Sequence, residues 1–159
     1  MGWADVPWLL LVGLAAVEAG AALGVVIALR RRRAPPLADA ECPRATVIVA
    51  LRGADPFLQD CLQAAMRQDY PDYQVLAIVD RADDPSWPTL NKIAAEAPPG
   101  RLRADVLRSP GATCSLKCSS LVQAIGQLDE ACELVALLDA DCVTHATWLR
   151  ELAAPFADA

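Results

Sequence analysis

The chain predicts an α/β fold, a parallel sheet with helices on both faces, preceded by one transmembrane helix. Three observations carry that prediction. After Arg44, short runs rich in Val, Ile and Leu alternate with stretches whose apolar residues recur at helical period, the β-α order of a parallel sheet. Before Arg44, an almost unbroken apolar stretch is closed by Arg30-Arg31-Arg32-Arg33. Finally, the apolar run Leu134-Val135-Ala136-Leu137-Leu138 ends in Asp139-Ala140-Asp141. So short and apolar a run predicts a strand buried on both faces, and open α/β sheets bind ligands at the carboxyl ends of such strands.

The N-terminal element is the apolar stretch from Trp8 to Leu29. At ~1.5 Å rise per residue it is long enough to cross a hydrocarbon core of ~30 Å. Trp3 and Trp8 stand at its outer end as interfacial aromatics do, and the arginines place everything after Arg30 in the cytoplasm. A cleaved signal peptide carries positive charge before its apolar region. None stands there, so the stretch reads as an uncleaved signal-anchor of a single-pass cell-membrane protein whose remaining part is cytoplasmic. Glu18, mid-span, reads either as a protonated or helix-paired carboxyl or as a contact with another membrane helix. Gly13, Gly20 and Gly24 suit such packing.

The organisation expected is an anchor with its basic stop at residues 1–33, a stiff linker at 34–45 carrying Pro35, Pro36 and Pro43, and an α/β part at 46–159. Thr46 to Leu51 is the first strand. Asp55-Pro56 supplies a cap and first-turn pair for a helix with apolar Phe57, Leu58, Cys61, Leu62, Ala65 and Met66. Asp69-Tyr70-Pro71 ends it. Gln74 to Val79 is the second strand, closed by Asp80, and Asp83-Asp84-Pro85 starts a helix running to about Ala95. Pro98-Pro99-Gly100 leads to a third strand, Ala104 to Leu107. Leu116 to Leu128 is a helix with Cys118, Leu121, Val122, Ile125 and Leu128 on one face. Glu133 to Leu138 is the fourth strand, and Thr144 is placed to cap a last helix with Trp148, Leu149, Leu152 and Phe156. Four strands are few for this class, so the α/β part reads as an incomplete domain, the front of a larger one.

Composition narrows the function. The formal net charge is -6 and the only basic cluster borders the apolar stretch, which excludes nucleic acid as a partner. The six cysteines are scattered through strands and helices and read mostly as small buried hydrophobes. Cys114 and Cys118 form half a zinc pattern without a second half, and His145 is the only histidine. His145 reads as part of the last helix's start and Trp148 as core.

Asp139 and Asp141, one residue apart at a strand end, suit a hard divalent cation that also holds phosphate oxygens. Asp80 ends another strand and can accept two hydrogen bonds in a fixed plane. Asp83-Asp84 reads as a helix N-terminal signal.

These residues line up with a known family. Leu51-Arg52-Gly53-Ala54-Asp55-Pro56-Phe57-Leu58, Gln68-Asp69-Tyr70-Pro71, Val79-Asp80 with Asp83-Asp84-Pro85, Leu116-Lys117 and Leu138-Asp139-Ala140-Asp141 occur in order. Together they resemble family 2 glycosyltransferases, most closely the ceramide-glucosyltransferase-like branch with its hopanoid-biosynthesis members. The resemblance runs from about Arg44 onward. It implies a GT-A-like (Rossmann-like) nucleotide-sugar-binding fold and transfer of a sugar from a nucleotide-sugar donor, a UDP-sugar foremost. By resemblance, Arg52 and Asp80 meet base and ribose. Asp139 and Asp141 form the DxD motif that holds Mg²⁺ or Mn²⁺ with the diphosphate, and Lys117 lies near the donor. The anchor keeps such a site near the bilayer, which suits a lipid acceptor.

Departures set further expectations. Ser119 and Ser120 follow Cys118 where many members carry asparagines near the lysine. The family's later aspartate, the acceptor base, and its QxxRW motif have no counterpart here, so the chain is expected to hold the donor half of a site and to be inactive by itself. Two alternatives stay open. One is a non-catalytic membrane-anchored remnant or partner subunit. The other is a haloacid-dehalogenase-like phosphatase with Asp139 as nucleophile and Asp141 as general acid, a motif that normally opens its domain rather than closing it.

Overall fold

The computed structural model describes residues 6–31 and 37–156. The expectations that rest on Trp3, Arg32, Arg33, Pro35 and Pro36 fall outside these residues. The chain divides into two units, one built on the N-terminal helix and one on the remainder.

The first unit is helix α1, Val6–Arg31, roughly 39 Å long at ~1.5 Å per residue. Within it Leu10–Ala28 has a mean hydropathy of 2.3, so by length and composition α1 can cross a membrane. Glu18 lies within this stretch and is exposed.

The second unit is a parallel sheet of β1 (Ala45–Leu51), β2 (Tyr73–Val79), β3 (Leu102–Val106) and β4 (Leu134–Leu138) in the order β3-β2-β1-β4. The connecting helices are α2 (Leu58–Met66), α3 (Trp87–Glu96) and α4 (Leu116–Ile125), with α5 (Trp148–Ala153) after β4. The chain walks outward from β1 to β3 and then returns to the far side of β1. Right-handed crossovers place helices on one face for the outward walk and on the opposite face for the return. Accordingly, α2, α3 and α5 cover the face formed by Val47, Val49, Val75, Ala77 and Ala136, while α4 covers Ile48, Leu76 and Ile78. Each fully buried Leu or Val contributes about 1.5–3 kcal/mol, and β1, buried on both faces, is the spine of the unit.

Residues 37–44 lie against this second unit. Leu37 and Cys42 pack on its core. The Arg150 guanidinium, with 9% of its side chain exposed, bonds Asp39 Oδ1 at 2.7 Å and the Asp69 carbonyl at 3.0 Å. Tyr70 donates its hydroxyl to the Pro43 carbonyl at 2.6 Å.

Several expectations are corrected. β4 is buried on one face only: Val135 and Leu137 are 40% and 56% exposed, because β4 is an edge strand and α4 packs over β1 and β2 rather than over it. In α4 the buried residues are Ser119, Ser120 and Ala124, while Cys118, Val122 and Ile125 face outward. Of the apolar residues expected on that face, Leu121 and Leu128 do pack against the sheet's core, together with Leu116. Of the six cysteines only Cys61 is buried; Cys114, Cys118 and Cys142 are exposed. Phe57, Leu152 and Phe156 are exposed too. Thr144 does not cap the last helix. Thr147 precedes it, and Thr144 instead accepts a hydrogen bond from Gln68.

Candidate functional site

The return of the chain across β1 makes a switch point between β1 and β4. At such a point two βα connections leave in opposite directions and open a crevice at the carboxyl ends of the strands. A cleft of about 390 Å³ lies there. It is lined by Leu51 and Arg52 after β1, Asp80 after β2, Ser115 to Lys117 at the start of α4, and Asp139 to Asp141 after β4. The structure therefore brings together every residue singled out for the site, namely Arg52, Asp80, Lys117, Asp139 and Asp141.

Asp80 forms the buried part of this cleft. Its backbone N–H bonds the Leu51 carbonyl at 3.0 Å, stitching the ends of β1 and β2. The side chain is only 7% exposed, yet its Oδ2 has no hydrogen-bond donor; the Arg52 Nε lies 3.5 Å away on a side chain that is 78% exposed. A buried carboxylate oxygen without a donor is costly. A ligand bringing an N–H or O–H to it would remove that cost, so the residue fits a base or ribose group.

On the other wall Lys117 donates to Asp139 Oδ1. The hydrogen bond that the ammonium donates to this carboxylate raises the lysine pKa above its ordinary value. The lysine therefore keeps its charge throughout neutral pH and loses it only as the pH rises through that raised value. Both partners are more than half exposed, so the pair adds little stability and stays free to rearrange. Ser115 caps α4, its side chain accepting the Cys118 N–H at 3.1 Å. This leaves the first turn of α4 facing the cleft beside Lys117.

The acid pair is held from behind. Cys61 on α2 donates its thiol to the Asp139 carbonyl at 3.4 Å, and the Cys142 N–H bonds that carbonyl at 3.0 Å. Burial pushes the Cys61 thiol up to about 11. The Asp141 carboxylate, 3.5 Å from its sulfur, raises that of Cys142. Neither environment favours a free thiolate nucleophile.

Among the described residues no group of three or more His, Cys, Asp or Glu is gathered to hold a metal. A pair of carboxylates still fits Mg²⁺ or Mn²⁺ of the kind that takes one or two protein carboxylates and completes its shell with phosphate oxygens and water. The cleft sets four carboxylates, Asp55, Asp80, Asp139 and Asp141, against two cations, Arg52 and Lys117. It would repel a bare diphosphate and accept one that arrives with a divalent cation.

Sequence reasoning missed three contributors. Asp55, read as a helix cap, does accept the Phe57 N–H at 2.7 Å but also lines the cleft. Ser115, a capping residue just before Leu116-Lys117, was detectable from its type alone. Asp84, read as a helix-start signal, accepts Ser86 N–H at 2.9 Å and also reaches back to Gly53 N–H at 3.0 Å. Gly53 turns at φ +78°, a conformation open to glycine, immediately after Arg52, and the Asp84 carboxylate accepts its N–H there.

Strand order, switch-point cleft and acid pair together define an α/β protein with the GT-A-like fold of glycosyltransferases. Residues 10–159 match Glycosyl transferase family 21, and the chain belongs to that family. The family sets aside the phosphatase alternative. Ceramide glucosyltransferase of Gibberella zeae is 39% identical over 75 residues, 43% of this chain, and that of Candida albicans 36% identical over 76 residues, 46% of it. The chain spans 14% of the length of each of these relatives. Among solved structures, a mannosyltransferase from Pyrobaculum calidifontis in complex with GDP-Man and Mn²⁺ superposes with a TM-score of 0.59 at 23% identity, over 92% of this chain and 42% of its own. TarS of S. aureus superposes with a TM-score of 0.58 at 20% identity, over 72% of this chain and 19% of its own. At these identities the likeness is one of fold.

Proposed function

We propose that this chain is the donor-binding part of a membrane-anchored glycosyltransferase that takes a nucleotide sugar, a UDP-sugar foremost, together with Mg²⁺ or Mn²⁺. The observation that carries the reading is the switch-point cleft, with the donorless Asp80 oxygen at one side and the Lys117–Asp139 pair beside Asp141 at the other. Asp80 accepts hydrogen bonds from base or ribose, and Arg52 covers it from the solvent side. Asp139 and Asp141 would hold the cation. When bound, the cation supplies Lewis-acid neutralisation of the charge that develops on the leaving diphosphate. Lys117 gives up Asp139 and turns its ammonium to a phosphate oxygen, a movement its exposure permits. The first turn of α4 presents backbone N–H groups to the same oxygens.

The acceptor side of the reaction is assigned to no residue of this chain. A lipid acceptor is supported by the ceramide glucosyltransferase relatives and by an anchor that would keep the cleft near a bilayer surface. The four arginines that follow the apolar stretch, Arg30 to Arg33, support a cytoplasmic position for the cleft.

Photolabelling the full chain in detergent with an azido-UDP-sugar tests the reading. Label should appear on peptides carrying Arg52, Asp80 or Lys117, only with Mn²⁺ present, and unlabelled UDP should compete it away. Label that ignores Mn²⁺, or that falls outside the cleft, contradicts it.

A further inference from the structure

Gln68-Asp69-Tyr70-Pro71 was singled out as a motif, yet none of its residues lines the cleft. Gln68 lies just past the end of α2 and is 7% exposed, although its side chain is polar. Every polar atom of that side chain is engaged. Its Oε1 accepts the Leu149 N–H at 3.0 Å. Its Nε2 donates to Thr144 Oγ1 at 3.0 Å and to the His145 carbonyl at 3.1 Å, and shares with the Ala64 carbonyl at 2.9 Å. The Asp69 N–H adds a bond to the Ala146 carbonyl at 2.7 Å.

All the partners beyond α2 belong to the β4–α5 connection or to the start of α5. That connection, residues 139–147, carries Asp139 and Asp141 and has no helix or strand of its own. Its beginning is held by the Cys61 thiol on the Asp139 carbonyl. Cys61 lies within α2 and Gln68 just past its C-terminal end, so the two contacts come from the same segment of chain. That segment thus grips the connection at both ends, with Asp141 between the grips. Among the described residues the only side-chain partner of the Asp141 carboxylate is the thiol of the neighbouring Cys142, so its position depends on the backbone that carries it.

We infer that Gln68 is a positioning residue for the acid pair, setting the course of the 139–147 connection so that Asp141 stands beside Asp139 for a shared divalent cation. This rests on the reading of Asp139 and Asp141 as the cation site. A merely structural Gln68 would support the fold without touching cation affinity. A positioning Gln68 acts on affinity directly, as outer groups that orient metal ligands do.

The test uses the full 159-residue chain in detergent, with Mn²⁺ binding in the presence of UDP followed by electron paramagnetic resonance. Amide hydrogen exchange is measured on the same samples. Gln68→Met removes all the side-chain bonds at similar volume; Thr144→Val removes one and spares the fold if the first variant fails to fold. Tyr70→Phe is the control: it lies in the same motif and cuts the bond to Pro43, away from the connection. Gln68→Met should weaken Mn²⁺ binding about 10-fold or more and speed exchange in residues 140–149. Thr144→Val should do both to a smaller degree, and Tyr70→Phe should leave Mn²⁺ binding unchanged. Unchanged exchange in the connection, or faster exchange with unchanged Mn²⁺ affinity, overturns the inference. If the unaltered chain binds no Mn²⁺ with UDP while exchange in 140–149 still responds to Gln68→Met, the grip is real and the cation reading is what fails.

Discussion

Asp84 shows how far a single residue type can be read. A carboxylate before a proline and a helix was legible as a turn signal, and it does accept the Ser86 N–H. Its second partner, Gly53, is remote in sequence, and nothing local announces that the N–H of this left-handed glycine after Arg52 will be donated to it. Burial pushes the Asp84 pKa up, but the bonds from Ser86 and Gly53 outweigh it and hold it below the ordinary carboxylate value. A depressed carboxylate stabilises the fold above its unfolded pKa and loses that contribution as pH falls through the folded one. Asp84→Ala should therefore cost about 1–3 kcal/mol at neutral pH. That difference should shrink as the pH is lowered past about 4, as followed by urea unfolding in detergent at a series of pH values. Asp80 was legible as a candidate because it ends a strand; that its Oδ2 is buried without a hydrogen-bond donor is seen only in the structure.

At the scale of elements, strands and helices were legible to within a few residues because apolar period and turn residues agree along the chain. The faces were less so. The run Leu134 to Leu138 is apolar at every position, so it carries no alternation from which to tell inside from outside; only its place at the sheet edge leaves Val135 and Leu137 exposed. In α4, apolar spacing pointed to Cys118, Leu121, Val122, Ile125 and Leu128; Leu121 and Leu128 do pack inward, but the helix is turned so that Ser119, Ser120 and Ala124 are its buried residues and Cys118, Val122 and Ile125 are exposed. A one-residue change of register would exchange the faces of β4, so two neighbours discriminate. In this 159-residue chain, Leu138→Ala should cost about 2–5 kcal/mol, whereas Leu137→Gln should stay within about 0.5 kcal/mol. Equal costs in unfolding experiments would contradict the register.

For the whole molecule, the β-α order dictated a parallel sheet but not the order β3-β2-β1-β4. Sequence places Arg52 and Asp139 far apart; only the return of the chain across β1 makes them two walls of one cleft. The individual candidates were legible because each closes a strand or opens a helix. Their assembly was not, since it depends on the direction of one crossover. In the proposed function the excess of carboxylates in that cleft would make nucleotide binding conditional on a cation. The most direct measurement is isothermal titration of the full chain in detergent with UDP, with and without Mn²⁺, repeated on Asp139→Asn and Asp141→Asn. The account predicts binding with Mn²⁺, at least 10-fold weaker binding without it and in either variant, and unchanged thermal unfolding of the variants. UDP binding that is as tight without Mn²⁺, or that survives both substitutions, would contradict it.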